Sequence, residues 1–182
     1  MEILQSNIFP EVKIFISKAY EDDRGYFTET FNSTIQNELG VTFYQDNHSK
    51  SKKNVIRGIH YQWDKPMGKL CRVVKGAGLD ILVDLRHTSP TYGQSETVYL
   101  SEDNFKQVWV PEGFGHAFLS LVNDTHLCYK CSALHNGNNE GSIYPFDPTL
   151  NISFPISETD AILSEKDKNS QNFETYKLNP KF

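Results

Sequence analysis

The segment Val55-Ile56-Arg57-Gly58-Ile59-His60-Tyr61-Gln62, followed nine residues after its histidine by Lys69, sets a guanidinium, an imidazole and an ammonium close together in the chain. An imidazole with an ordinary pKa of about 6.5 can take a proton at neutral pH. The two cations can hold negative charge. Together they suit an anionic substrate that carries a carbonyl.

Strands must position these groups. Period-two runs cover 12–17, 43–49, 55–62, 70–74, 79–85, 96–100, 107–110, 117–122 and 127–132, broken by turn clusters such as Lys75-Gly76-Ala77-Gly78 and Pro111-Glu112-Gly113. The spacing predicts an all-β sandwich or barrel. Helical patterning is confined to Ser33–Leu39, stopped by Gly40, and to a short helix opening at Ser164. The tail from Asp167 to Phe182 is polar enough to be expected as loosely attached. In the run 79–86, Leu79, Ile81, Val83 and Leu85 form an apolar face; Asp80, Leu82, Asp84 and Arg86 form a mixed one that could line a polar cavity.

On alternation, Gly58, His60 and Gln62 share one strand face, and Tyr129 and Cys131 share another. If both look inward, an imidazole and a phenol meet across a cavity. Lys69 alternates with Cys71 and Val73. Arg57 falls opposite His60, so it reaches the same ligand only through a mouth position, a twist or a bulge.

With 182 residues, 38% of them hydrophobic, the chain can bury one core, and a single domain over 1–182 is expected. A net charge of −5 argues against a nucleic-acid surface. The start lacks a signal-peptide pattern and no run approaches a membrane span, so a cytoplasmic protein with no membrane partner is expected. Of three cysteines, Cys128 and Cys131 stand three apart on a strand and so face opposite sides, which disfavours a shared metal or disulfide.

Seven runs then occur in the order and spacing of one family: Asp23-Arg24-Gly25-Tyr26-Phe27-Thr28-Glu29, Gln45-Asp46-Asn47-His48-Ser49, Arg57 to Gln62, Val83-Asp84-Leu85-Arg86, Val110 to Phe118, Asp147-Pro148 and Ser164-Glu165-Lys166-Asp167. From about residue 8 to 168 the chain resembles the dTDP-4-dehydrorhamnose 3,5-epimerases, cupin-type isomerases of nucleotide-sugar metabolism. The resemblance implies a cupin jelly roll and epimerisation at C3 and/or C5 of a nucleotide-diphospho-4-keto-6-deoxy sugar for bacterial surface polysaccharide. It puts the base on His60, its paired aspartate on Asp167, the enolate-stabilising lysine on Lys69, the acid on Tyr129 and a second histidine on His116. Arg24, Glu29, Gln45, Asn47 and Arg57 would grip the nucleotide diphosphate, Arg24 and Glu29 reaching the neighbouring site of a strand-exchanged homodimer. No cofactor or metal is implied.

One departure matters. Six residues after Tyr129, where the family carries a tyrosine within Tyr-x-Pro-x-x-Glu, this chain reads His135-Asn136-Gly137-Asn138-Asn139-Glu140. With the base platform changed, dTDP-hexose and GDP-4-keto-6-deoxy-heptose both stay open, and His135 and Glu140 join the candidate binding residues. A metal-dependent cupin is disfavoured because Gln62 stands where His-x-His would need its second histidine, beside the repelling Lys69. A C3-only epimerase, a 3,4-ketoisomerase on the same fold and a catalytically dead sugar-nucleotide binding module are the remaining alternatives. Ser164-x-x-Asp167 also fits a plain helix cap.

Overall fold

In the computed structural model, which describes all 182 residues, the strands run in chain order as β1 (Glu2–Gln5), β2 (Lys13–Ile16), β3 (Ala19–Asp22), β4 (Gly25–Thr28), β5 (Gln45–Ser51), β6 (Ile56–Gln62) and β7 (Lys69–Lys75). They continue as β8 (Ala77–Asp84), β9 (Ser95–Ser101), β10 (Lys106–Val110), β11 (Phe114–Ser120), β12 (Thr125–Cys131) and β13 (Glu140–Ser142). Helices are short: α1 (Ser33–Leu39), α2 (Glu165–Lys168) and α3 (Phe173–Lys177). None is long and apolar enough to cross a membrane.

A six-stranded sheet, β1-β2-β10-β7-β12-β5, faces a five-stranded one, β13-β6-β11-β8-β9, with every pairing antiparallel. This is the expected jelly roll. Between the sheets Phe9, Val12, Cys71, Val73, Leu82, Val108, Phe114, Phe118 and Leu127 pack as one buried cluster. It fills part of the barrel and leaves the rest to polar groups. The mixed face of β8 does point inward: Leu82 joins this inner core while Ile81, Val83 and Leu85 pack outside it.

That outer apolar face corrects the expectation for the tail. Phe173 and Tyr176 of α3 are buried at 3% and 1% exposure against Ile81, Val83 and Leu85, and the Tyr176 hydroxyl donates to the Leu85 carbonyl at 3.0 Å. The tail is docked because the sheet needs a cover. Each such aromatic contributes roughly 1.5–3 kcal/mol of apolar burial. On the far side of the larger sheet, α1 covers Phe15, Leu70 and Trp109 with Ile35, capped by the Asn32 side chain and ended by Gly40 at φ +66°. Period-two reading did not foresee the exposed edge strand β1, the short β13 or the β3–β4 hairpin, which forms a sheet of its own.

Candidate active site

Arg57 and His60 reach the same side of β6 because the strand carries a bulge. The β11–β6 ladder pairs His116 with His60 but Phe118 with Arg57, so two steps along β11 meet three along β6. Ile56 and Ile59, three apart, consequently both join the outer core, and Arg57 and His60 both turn inward. Gly58 drops out of the simple alternation with His60 and Gln62. Its φ is +115°, and a Cβ there would collide with the His116 carbonyl oxygen and lie 2.7 Å from Ala117 Cα. Only glycine fits this close approach.

Asp167 meets His60 from α2. Their Nε2 and Oδ1 atoms are 2.6 Å apart, with Asp167 buried and the imidazole side chain 34% exposed. Ser164 caps α2, accepting from the Asp167 amide at 3.1 Å and donating its hydroxyl to Oδ2 at 2.8 Å. Both expected readings of Ser164-x-x-Asp167 therefore hold: the run is a helix cap and a histidine anchor. Burial pushes the Asp167 carboxyl up, but bonds from His60, Ser164 and the Gly58 amide outweigh it and hold the group below the usual carboxylate range. An ionised carboxylate only accepts, so the facing imidazole nitrogen carries hydrogen.

The pair opens on two adjoining cavities. One, of about 450 Å³, is lined by Gln45, Asn47, His60, Lys69, Tyr129, His135 and Glu140, among others. The second, of about 440 Å³, is lined by Arg57, His60, Lys69, His116, Tyr129, Lys166 and Asp167, among others. His60, Lys69 and Tyr129 belong to both. His60 lies on the smaller sheet and Lys69 and Tyr129 on the larger, so imidazole and phenol occupy opposing walls.

Burial sets the electrostatics. It pulls the Lys69 ammonium down, against the opposing influence of Cys71, Cys131, Asp80 and Glu140. It pushes the Tyr129 phenol up, so the hydroxyl keeps its proton at neutral pH. His116 is held down by burial against the pull of Asp80, whose carboxylate oxygens lie 2.9 and 3.0 Å from Nε2.

A polar rim completes the first cavity. Gln45 accepts from the His135 amide at 3.0 Å and donates to Asn47 at 2.9 Å. The His135 Nε2 lies 3.0 Å from Glu140, which also pairs with Lys166. Burial pushes the Glu140 carboxyl up, yet Lys166 and His135 hold it below its usual range. Arg57 is braced by Ser51 Oγ at 3.0 Å and the Lys50 carbonyl at 3.1 Å.

Residues 7–175 match the family model described as dTDP-4-dehydrorhamnose 3,5-epimerase. The chain belongs to that family. It is 45% identical over 155 residues to the dTDP-4-dehydrorhamnose 3,5-epimerase of Methanothermobacter thermautotrophicus, covering 84% of each chain. It is 41% identical over 177 residues to that of Shigella flexneri, covering 95% and 96%. The crystal structure of a Legionella pneumophila dTDP-6-deoxy-D-glucose-3,5-epimerase in complex with dTDP-4-keto-L-rhamnose superposes with a TM-score of 0.93 at 39% identity, over 100% of this chain and 98% of that one. A 3'-monoepimerase from Streptomyces bikiniensis in complex with dTDP-quinovose gives 0.89 at 32%, over 96% and 89%.

As a member of an epimerase family the chain is an isomerase, and its fold gathers ten of the expected site residues around one pair of cavities. Arg24 and Glu29 are not among them. Arg24 lies at the tip of the β3–β4 hairpin, 89% exposed and paired with Asp22, and Glu29 follows β4; neither lines the cavities of its own chain. Lys166 and Asp80 were missed. Lys166 stands beside Asp167 on α2, where one exposed lysine in a capped turn carries no signal of its own; Asp80 shows in the sequence only as a polar residue on the mixed face of β8. Cys128 and Cys131 are free thiols, the first half-buried and the second buried.

Proposed function

We propose that this epimerase inverts both C3 and C5 of a dTDP-4-keto-6-deoxy-hexose, with His60 as base and Tyr129 as acid. The observation that carries the reading is the carboxylate-held imidazole of His60 opposite the Tyr129 phenol, with Lys69 lining both of the cavities that they line. A carbonyl at C4 acidifies the hydrogens on both flanking carbons. His60 takes one of them, the electron pair moves onto the carbonyl oxygen as an enolate, and Tyr129 delivers a proton to the opposite face. The mismatch between a carbon acid of pKa roughly 19 and an imidazolium near 7 is about 16 kcal/mol. Lys69 offsets part of it beside the enolate oxygen, one such donor being worth about 3 kcal/mol. His116 supports the same oxygen. No metal or organic cofactor enters this scheme.

Arg57, Gln45 and Asn47 would hold the diphosphate, and His135 with Glu140 would meet the base. We favour dTDP over GDP because the relatives named above are enzymes of dTDP sugars at 32–45% identity. Inversion at both carbons follows the more similar relatives; the monoepimerase is the second reading. The exposed hairpin, with Tyr20, Tyr26 and Phe27 in water, would carry Arg24 and Glu29 into the site of a second copy. A reducing, cytoplasmic setting accords with three free thiols. Incubation with dTDP-4-keto-6-deoxyglucose in deuterated water tests the reaction: deuterium is expected at C3 and C5. Label at C3 alone would assign a monoepimerase, and no label with either dTDP or GDP 4-keto sugars would sink the proposal. Calorimetry with dTDP and GDP checks the base.

A further inference from the structure

Cys71 on β7, Asp80 on β8 and His116 on β11 bring a thiol, a carboxylate and an imidazole together where His116 alone of the three lines the second cavity, and catalysis as proposed uses only the imidazole. All three are buried, at 0%, 0% and 7% exposure, and their candidate ligand atoms lie within 4.8 Å of one another. His116 Nε2 is the hub, 2.9 and 3.0 Å from the Asp80 oxygens and 3.7 Å from Cys71 Sγ. We infer that these three side chains form an inhibitory site for a thiophilic divalent cation, zinc above all.

Spacing, donor type and charge support it. With zinc–nitrogen and zinc–oxygen bonds of about 2.0–2.1 Å and zinc–sulfur of about 2.3 Å, tetrahedral geometry sets nitrogen about 3.3 Å from oxygen and about 3.6 Å from sulfur. His116 Nε2 stands within about 0.4 Å of those separations from the Asp80 oxygens and from Cys71 Sγ, and the sulfur lies within 4.8 Å of the carboxylate. A sulfur, a nitrogen and an oxygen select zinc over magnesium or calcium, which prefer all-oxygen shells. Three protein donors leave a fourth position for water or a small anion. One proton, from the Cys71 thiol, leaves to solvent as the metal–sulfur, metal–nitrogen and metal–oxygen bonds form; the hydrogen that His116 directs at Asp80 from Nε2 moves to Nδ1, so the imidazole stays neutral. Lys69 lies close to Cys71 and Asp80 and would repel a bare cation. A divalent ion held by one thiolate and one carboxylate makes a unit of zero net charge, so the ammonium does not face a bare cation. Access runs through the cavity that His116 itself lines.

Occupancy would remove His116 from the enolate side and block the space beside Lys69, so turnover falls; this consequence rests on the proposed catalytic scheme, whereas binding does not. Chelator-treated protein should bind one equivalent of zinc by calorimetry, and cobalt in its place should give a sulfur-to-cobalt charge-transfer band in the near ultraviolet. Cys71→Ala should lose the band and weaken binding by about tenfold or more, while Cys128→Ala keeps both. Zinc should slow the unsubstituted enzyme about tenfold, reversibly on adding chelator, and leave Cys71→Ala within about twofold. Absence of the cobalt band in the unsubstituted protein overturns the site whether or not the variant folds. Inhibition that survives Cys71→Ala overturns it too, and moves attention to the surface pair His48 and His126, whose ring nitrogens Nε2 and Nδ1 lie 2.8 Å apart.

Discussion

At the scale of single residues, the proposed base His60 and acid Tyr129 can be tested separately because they occupy different sheets. Tyr129→Phe removes the proton donor but leaves His60, Asp167 and Lys69 in place. Enolate formation should therefore continue from one face while inversion stops. The expected result is deuterium exchange at the substrate carbon with retained configuration, read by nuclear magnetic resonance, and net epimerisation reduced by about 10²–10⁴. Asp167→Asn makes the complementary change. It keeps the shape of the side chain but no longer dictates which imidazole nitrogen holds the hydrogen, so both exchange and inversion should fall, by up to about 10⁴ in kcat, with KM little altered. Lys69→Met should cost about 10² in kcat if the ammonium is one preorganised donor to the enolate. Equal losses of exchange and inversion in Tyr129→Phe would remove the distinction between the two roles.

At the scale of elements, the bulge in β6 decides whether Arg57 and His60 serve one ligand. Gly58→Ala would set a methyl group against the β11 backbone at a φ that side chains rarely adopt. Destabilisation of about 2 kcal/mol or more is expected, with a fall in Tm of several degrees. Arg57→Ala, by contrast, should leave Tm nearly unchanged and raise KM. The elements that were legible in the sequence are those whose alternation is clear, β5 to β12, and helix α1 from Ser33 to its stop at Gly40. The bulge was legible only as one of three ways to bring Arg57 and His60 to one ligand, since Arg57-Gly58-Ile59-His60 reads as an unbroken alternation until the partner strand supplies the count. Helix α3 escaped for a different reason: it is one turn long, and its anchors Phe173 and Tyr176 become meaningful only once the outer face of β8 is seen to need cover. The candidate site itself was largely readable from residue types and family spacing. What stayed hidden was Asp80 behind His116, because it is recruited from another strand of the sheet, opposite Phe118.

At the scale of the whole molecule, buried carboxylates make the fold sensitive to acid. Burial pushes the Asp84 carboxyl up, but Arg86, Ser89 and Thr91 bond to it and hold it below its usual range; for Asp147, Thr149 and the Phe173 amide do the same. In the unfolded chain each takes a proton near pH 4. The stability they contribute is thus fully present above that value and is lost as the pH falls through the lower, folded-state value. Tm should be flat near neutrality and drop below about pH 4, and Asp84→Asn should lower Tm at pH 7 while making the acid drop shallower.

The hairpin poses the larger question, since Arg24 and Glu29 lie away from their own cavities. If each site of a twofold dimer borrows them from its partner, two inactive variants should restore one another. In a mixed dimer of Arg24→Ala and His60→Asn chains, one site combines the intact His60 of the first chain with the intact Arg24 of the second, and the other site lacks both. Random mixing yields half mixed dimers with one working site each, hence roughly a quarter of the activity of the unsubstituted protein. Should Arg24 instead serve its own chain, no combination contains a complete site and mixing recovers nothing. The measurement needs the two variants unfolded together and refolded, because an exchanged hairpin would not swap between preformed dimers on the timescale of an assay. Gel filtration of the refolded mixture checks that dimers have formed, so a failure to recover activity can be read as a failure of exchange across the interface.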